Sequence, residues 1–204
     1  MPEWERLREW SRKSAGLSLT HAAMDQLRRY VDVLRVWNRK VALVAQDDLR
    51  SVLDKHVADS LFVAAHCGGV RAAADLGSGA GFPGLVIAIV HPEVRVALIE
   101  ARGKKVSFLE EARRVAGIRN AEPVHGRIEA VASAPQHHGA YERITSRALA
   151  DLDVLRALAQ PLAAPGSVLL AMRAASAPAP VGAERLDYAL PDGTPRALVK
   201  ITLS

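Results

Sequence analysis

One stretch constrains the fold of this chain more than any other: Asp75-Leu76-Gly77-Ser78-Gly79-Ala80-Gly81-Phe82-Pro83-Gly84, which begins inside the short apolar run 72–76. Without a Cβ, a glycine lets the backbone turn tightly and lets a ligand lie against it. An apolar segment follows at 85–90, with the length of a short helix, closed by His91-Pro92. Strand, glycine turn and helix in that order are the first unit of an open α/β sheet. In such sheets the ligand crevice lies at the carboxyl ends of the strands.

The alternation continues downstream. Residues 95–99 read as a strand ending at Glu100, and 104–116 as an amphipathic helix stopped by Gly117. Strands are expected at 122–125, 142–146 and 167–172, with a helix over 151–162 that stops at Pro165-Gly166. Strands 186–190 and 197–203 flank the turn Pro191-Asp192-Gly193-Thr194, so at least one strand runs antiparallel. Residues 174–183, rich in Ala and Pro, read as a loop.

Residues 1–70 read instead as a helical extension in front of a sheet domain at 71–204. Thr20 caps a helix in which Met24, Leu27, Val31, Leu34 and Trp37 recur at helical spacing. A second helix starts at Asp47 or Asp48, turns His56 and Asp59 inward as a pair, and ends at Gly68-Gly69.

Composition narrows the function. With 50% apolar and 24% charged residues, wholesale disorder is excluded. A single cysteine, Cys67, excludes an intrachain disulfide and a site of several thiolates, and no metal is expected. The first residues are too charged for a signal peptide, and no apolar run approaches a membrane span. The expectation is a soluble cytoplasmic monomer with no membrane partner. The net charge of +5 leans towards an anionic partner. Basic residues group at Arg28/Arg29/Arg35/Arg39/Lys40, at Arg102/Lys104/Lys105 and at Arg113/Arg114/Arg119, and three clusters around one crevice would suit an RNA backbone. Aromatics are only 4%, so shape and phosphate contacts to a folded RNA are expected rather than a stacking platform.

Two cofactors compete for the glycine loop. Gly79 to Gly84 matches the dinucleotide pattern G-x-G-x-x-G, but Pro83 has no N–H to offer a pyrophosphate. The other reading, Asp75-x-Gly77-x-Gly79-x-Gly81, is the first motif of S-adenosylmethionine (SAM)-dependent methyltransferases. Glu100 can accept two hydrogen bonds from ribose hydroxyls and serves either cofactor. The terminal hairpin favours the methyltransferase sheet: a Rossmann-like, class I, mostly parallel α/β sheet with a C-terminal antiparallel hairpin and an N-terminal helical cap.

The decapeptide from Asp75 resembles the signature of the RsmG/GidB family, bacterial enzymes that methylate N7 of a guanine in 16S small-subunit ribosomal RNA. Further stretches are similar to that family: Trp37-Asn38-Arg39-Lys40, Lys55-His56-Val57-Ala58-Asp59-Ser60-Leu61, the run Glu100-Ala101-Arg102-Gly103-Lys104-Lys105, Gly126-Arg127-Ile128-Glu129 and Thr145-Ser146-Arg147-Ala148. The resemblance spans roughly residues 25 to 172. It implies SAM as cofactor and 16S ribosomal RNA or the small subunit as partner. It assigns Asp75, Gly77, Gly79, Gly81 and Phe82 to the cofactor loop, Glu100 to the ribose, and Ile128 and Glu129 to the adenine. Arg147 belongs beside the cofactor carboxylate or the guanine, and with Asn38 and His56 forms the candidate catalytic set. Readings left open are a different acceptor on the same fold, and a protein that binds RNA or a nucleoside without catalysis.

Overall fold

A computed structural model of the chain describes residues 3–45, 48–147 and 150–203. Asp47 and Ala148 lie outside the described residues.

Seven strands form one sheet: β1 (Ala72–Leu76), β2 (Arg95–Glu100), β3 (Ala121–His125), β4 (Tyr141–Arg147), β5 (Ala163–Ala174), β6 (Glu184–Ala189) and β7 (Pro195–Thr202), in the order β3-β2-β1-β4-β5-β7-β6. The first five pair parallel, and β7 inserts antiparallel between β5 and β6. The order reverses between β1 and its neighbours β2 and β4, so the crevice opens where the glycine loop leaves β1.

Side chains alternate across the sheet, and both faces are covered. Ala73, Val96, Leu98, Leu170, Met172 and Leu198 face one core, shared with the N-terminal helices. Ala74, Ala97, Ile99, Ile144, Leu169, Ala171 and Val199 face the other. The first core is covered by α1 (Glu3–Ser14), α2 (His21–Asn38), α3 (Leu49–Val52) running into α4 (Ala58–Ala64), α5 (Gly84–Val90) and α6 (Gly103–Ala116). The second is covered by α7 (Ile128–Ala132) and α8 (Leu152–Ala159).

The capped helix is α2: Thr20 accepts from the Ala23 amide at 3.1 Å, and Leu27, Tyr30, Val31 and Leu34 are buried while Trp37 lies half-buried against Phe108. Asp48 caps the next helix through the Ser51 amide at 2.9 Å. Within that rod a π turn, Leu53–Val57, joins α3 to α4. Among the described residues no helix is long and apolar enough to cross a membrane.

The elements depart from expectation in several places. Helix α1 was not placed by the sequence, because only Leu7 and Ser11 of its twelve residues are buried. The helix expected over 151–162 ends at Ala159 and continues as a 3-10 turn, Gln160–Leu162. Pro165-Gly166 then sits inside β5, where the pairing slips from Tyr141↔Ala163 to Arg143↔Val168. Such an irregularity absorbs a proline without N–H. The basic clusters do not all ring the crevice. Helix α6 starts at the carboxyl edge of the sheet and ends at the opposite edge, where Arg113 donates to the Ala121 carbonyl at the start of β3. Arg29 reaches the Ala116 carbonyl there, so Arg29, Arg113 and Arg114 with their neighbours Arg28 and Arg119 lie away from the crevice. Trp37 on Phe108 directs the end of α2, and with it Arg39 and Lys40, towards the start of α6 and Lys104.

Candidate active site

The glycine loop is held at three points. Asp75, at the end of β1, is fully buried; its Oδ1 accepts from Thr145 Oγ1 at 2.9 Å and its Oδ2 from the Gly84 amide at 3.1 Å. Burial pushes its carboxyl up to about 6, even though those hydrogen bonds favour the ion. The Gly79 amide donates to Glu100 Oε2 at 2.9 Å. Tyr30, from α2, donates to the Ala80 carbonyl at 2.5 Å. At Gly81 φ is +88°, and a Cβ there would stand 2.5 Å from Leu85 Cδ1. The residue must therefore be glycine on two counts.

Beside the loop lies a cavity of about 590 Å³. Gly77, Ile99 and Glu100 form one wall, Arg102 and Lys105 at the start of α6 another. Arg127, Ile128 and Glu129 oppose them, and Arg147 and Leu158 close it from β4 and α8. Glu100 Oε1 accepts from the Arg102 amide at 2.8 Å, so the carboxylate is fixed at the tip of β2 with lone pairs left for a ligand.

Arg147 is 22% exposed and is held from behind by the π turn between α3 and α4. Its Nη1 donates to His56 Nδ1 at 2.6 Å and its Nη2 to the Lys55 carbonyl at 3.1 Å. His56 must be neutral to accept; burial first, then Arg147, Arg196 and Lys55, hold its pKa down at about 3. The expected His56–Asp59 pair does not form. Asp59 accepts instead from Tyr188 Oη, and its Oδ2 lies 3.8 Å from Nε of Arg147 and of Arg196.

The structure thus brings Gly77, Glu100, Ile128, Glu129 and Arg147 to one cavity. Gly79 and Gly81 shape the loop beside it. Asp75 supports the loop from beneath and does not reach the cavity wall. Phe82 turns away from it, stacked on His56 at 20° and tilted against Tyr30 at 53°, both centroids at 5.3 Å. Asn38 is a clamp: its Oδ1 accepts from the Leu43 and Val44 amides at 2.8 and 3.0 Å, and its Nδ2 donates to the Val44 carbonyl. His56 acts on the cavity only through Arg147. Tyr188 and Arg196 went unnoticed in the sequence, since nothing local marks them; only the insertion of β7 brings them here.

The donor set fits SAM. A loop stripped of side chains adjoins a fixed carboxylate at the second strand, and the cavity can hold a nucleoside. Cys67 lies before β1, and burial pushes its thiol up to about 12, so it is no nucleophile.

Comparison with known proteins agrees with this chemistry. A family described as rRNA small subunit methyltransferase G (GidB) matches residues 23–200. The ribosomal RNA small subunit methyltransferase G of Roseiflexus castenholzii is 40% identical over 159 residues, 78% of this chain and 68% of that one. Its counterpart from Halalkalibacterium halodurans is 37% identical over 164 residues, 79% and 69% of the two chains. The chain spans 63% to 69% of the length of these and a second Roseiflexus relative. Among solved structures, the O-methyltransferase from Bacillus cereus in complex with SAH has a TM-score of 0.59 at 16% identity, covering 86% of this chain and 90% of that one. A SAM dependent methyltransferase from Aquifex aeolicus has a TM-score of 0.57 at 17% identity, covering 78% and 95%. At those identities the two structures speak for the fold alone.

Proposed function

The chain belongs to the rRNA small subunit methyltransferase G family, and from that premise we propose that it transfers a methyl group from SAM to N7 of a guanine in 16S ribosomal RNA. The observation that carries the reading is the cavity at the carboxyl edge, bounded by the glycine loop, Glu100 and Arg147. When bound, SAM supplies an electrophilic methyl group on a sulfonium. Guanine N7 carries a free lone pair and need not lose a proton before it attacks. The reaction therefore asks for alignment of donor and acceptor more than for a general base. The residues around the cavity suit that demand. Glu100 accepts from ribose hydroxyls, Ile128 and Glu129 flank the adenine, and the loop lets the ligand lie close to the backbone. Arg147 stays charged and stands ready for the cofactor carboxylate or the guanine edge. We take the acting form to be a cytoplasmic monomer, with residues 1–70 as a helical cap on the methyltransferase domain.

The test is the 7-methylguanosine content of small-subunit RNA, measured by mass spectrometry in cells with and without the gene. The nucleoside is expected to disappear with the gene; an unchanged level would overturn the acceptor. Calorimetry with SAM addresses the enzyme itself: binding is expected, and Glu100→Ala should weaken it at least tenfold, the loss of about 1.4 kcal/mol expected when hydrogen bonds to a charged group are removed.

A further inference from the structure

Asp59 has no part in the chemistry above, yet its side chain is only 3% exposed and three side chains from distant parts of the sequence converge on it. Tyr188, from β6, donates its hydroxyl to Oδ1. Arg147, from β4, and Arg196, from β7, each place Nε 3.8 Å from Oδ2. At that distance the contact is an ion pair and not a hydrogen bond. The remaining edge of Arg147 is tied to His56 and to the Lys55 carbonyl, within the π turn where the helical ladder is displaced and a carbonyl can serve an outside donor. The Arg147 guanidinium is therefore located by His56, by the π turn and by Asp59. Of the groups that touch it, the Asp59 carboxylate is the counter-charge, and among the described residues the Tyr188 hydroxyl is the one side-chain group that hydrogen-bonds to that carboxylate. The Tyr188 ring does not depend on that bond for its own place, since it stacks on Phe62 at 3.7 Å and 10°.

We propose that Asp59 and Tyr188 are positioning residues for methyl transfer: the Tyr188 hydroxyl fixes the Asp59 carboxylate, and that carboxylate sets the Arg147 guanidinium at the wall of the cofactor cavity. The proposal rests on the methyltransferase reading of that cavity. Removing the hydroxyl frees the carboxylate to rotate, and Arg147 loses a fixed counter-charge. Displacements of this order cost a ligand site far more than they cost the fold.

The experiment is a double-mutant cycle on the full chain, at a temperature where every variant is fully folded by circular dichroism. Tyr188→Phe keeps the stacked ring and deletes only the hydroxyl. It is expected to weaken SAM binding about fivefold by calorimetry and to slow single-turnover methylation of small-subunit RNA about tenfold, with KM for RNA unchanged. In an Arg147→Lys background the same change should do nothing further, because the group being positioned has gone. Asp59→Asn, which keeps the shape and loses the charge, should reproduce both results and replaces Tyr188→Phe in the cycle if that variant does not fold. SAM affinity and rate within twofold of the unmodified chain, or equal losses with and without the Arg147 guanidinium, would overturn the proposal. If the unmodified chain methylates no RNA, the acceptor reading fails. The SAM-affinity cycle uses no RNA and still decides the positioning role.

Discussion

His56 is neutral in the folded chain, and that neutrality lets Nδ1 accept from Arg147. Neutrality has a pH signature. Its folded pKa of about 3 lies below the ordinary 6.5, so on acidification the unfolded chain takes up a proton that the folded chain refuses. Its contribution to stability is complete above about pH 6.5 and drains away towards pH 3. Asp75 works in the opposite sense. Its carboxyl, raised from 3.8 to about 6, destabilises the fold as pH rises through that window and relieves it as pH falls. Of the two the larger shift is that of His56, so from pH 7 to pH 4.5 its part of the thermal stability should fall. His56→Gln should flatten or invert that slope, as thermal melts in a pH series would show. Gly81 offers a different test. Gly81→Ala forces a side chain into the left-handed region and against Leu85, and should cost about 2 to 4 kcal/mol in urea unfolding and abolish SAM binding. Residue identities were readable in the sequence to unequal depth. Glu100 could be assigned because strand end and side-chain chemistry coincide. Asp75 and Phe82 belong to the same motif, but a motif does not say which way a side chain turns. One supports the loop from beneath and the other faces Tyr30 and His56.

Helices α1 and α7 show where periodicity stops informing. Helix α7 has five residues, too few to repeat a pattern, and the apolar stripe of α1 is narrowed to Trp4, Leu7 and Trp10 among seven charged residues. What holds α1 is specific instead: Arg6 Nη2 donates to both carboxylate oxygens of the buried Asp54 at 2.6 Å, and Trp10 Nε1 donates to the Ala189 carbonyl at 3.2 Å. Asp54 lies in the π turn, so α1 braces the segment that presents Lys55 and His56 to Arg147. Among the described residues, Arg6→Ala leaves the buried carboxylate only the more distant Arg50, at 3.7 Å, and should cost about 3 kcal/mol in chemical denaturation. SAM binding should weaken in parallel, through Arg147. Asn38→Ala makes the contrasting case. It unclamps residues 43–44 and should cost about 1 to 2 kcal/mol of stability while SAM affinity stays unchanged, since Asn38 does not line the cavity. The central strands were easier to foresee than these helices, because β1, β2 and the second half of β5 are mostly apolar runs with clear turn residues near them.

The surplus of basic residues is divided between the two edges of the molecule, and that division predicts how RNA binding responds to salt and to charge reversal. Arg39, Lys40 and Lys104 lie towards the carboxyl edge and the cavity; Arg114 and Arg119 lie at the far edge, where Arg114 is already paired with Glu111 at 2.8 Å. Lys104→Glu or Arg39→Glu should weaken binding to small-subunit RNA. Each should also reduce the magnitude of the log K against log salt slope by about one for every phosphate left without its cation. Arg114→Glu and Arg119→Glu should change neither. Charge clusters could be counted in the sequence, but their sides could not, because the direction of α6 separates residues ten apart by the full depth of the sheet.

The reversed insertion of β7 bears on the order in which a ribosome delivers this fold. Strand β6 leaves the exit tunnel before β7, yet β7 is the strand it pairs with and the one that links it to the rest of the sheet. A nascent chain that has released everything up to β6 can form the glycine loop and Glu100 but holds Tyr188 on a strand with no partner. Asp59 gains its phenol, and Arg196 arrives, only once β7 has slotted between two strands already made. Full cofactor affinity should therefore be acquired only after β7 has emerged, in step with the closing of that gap.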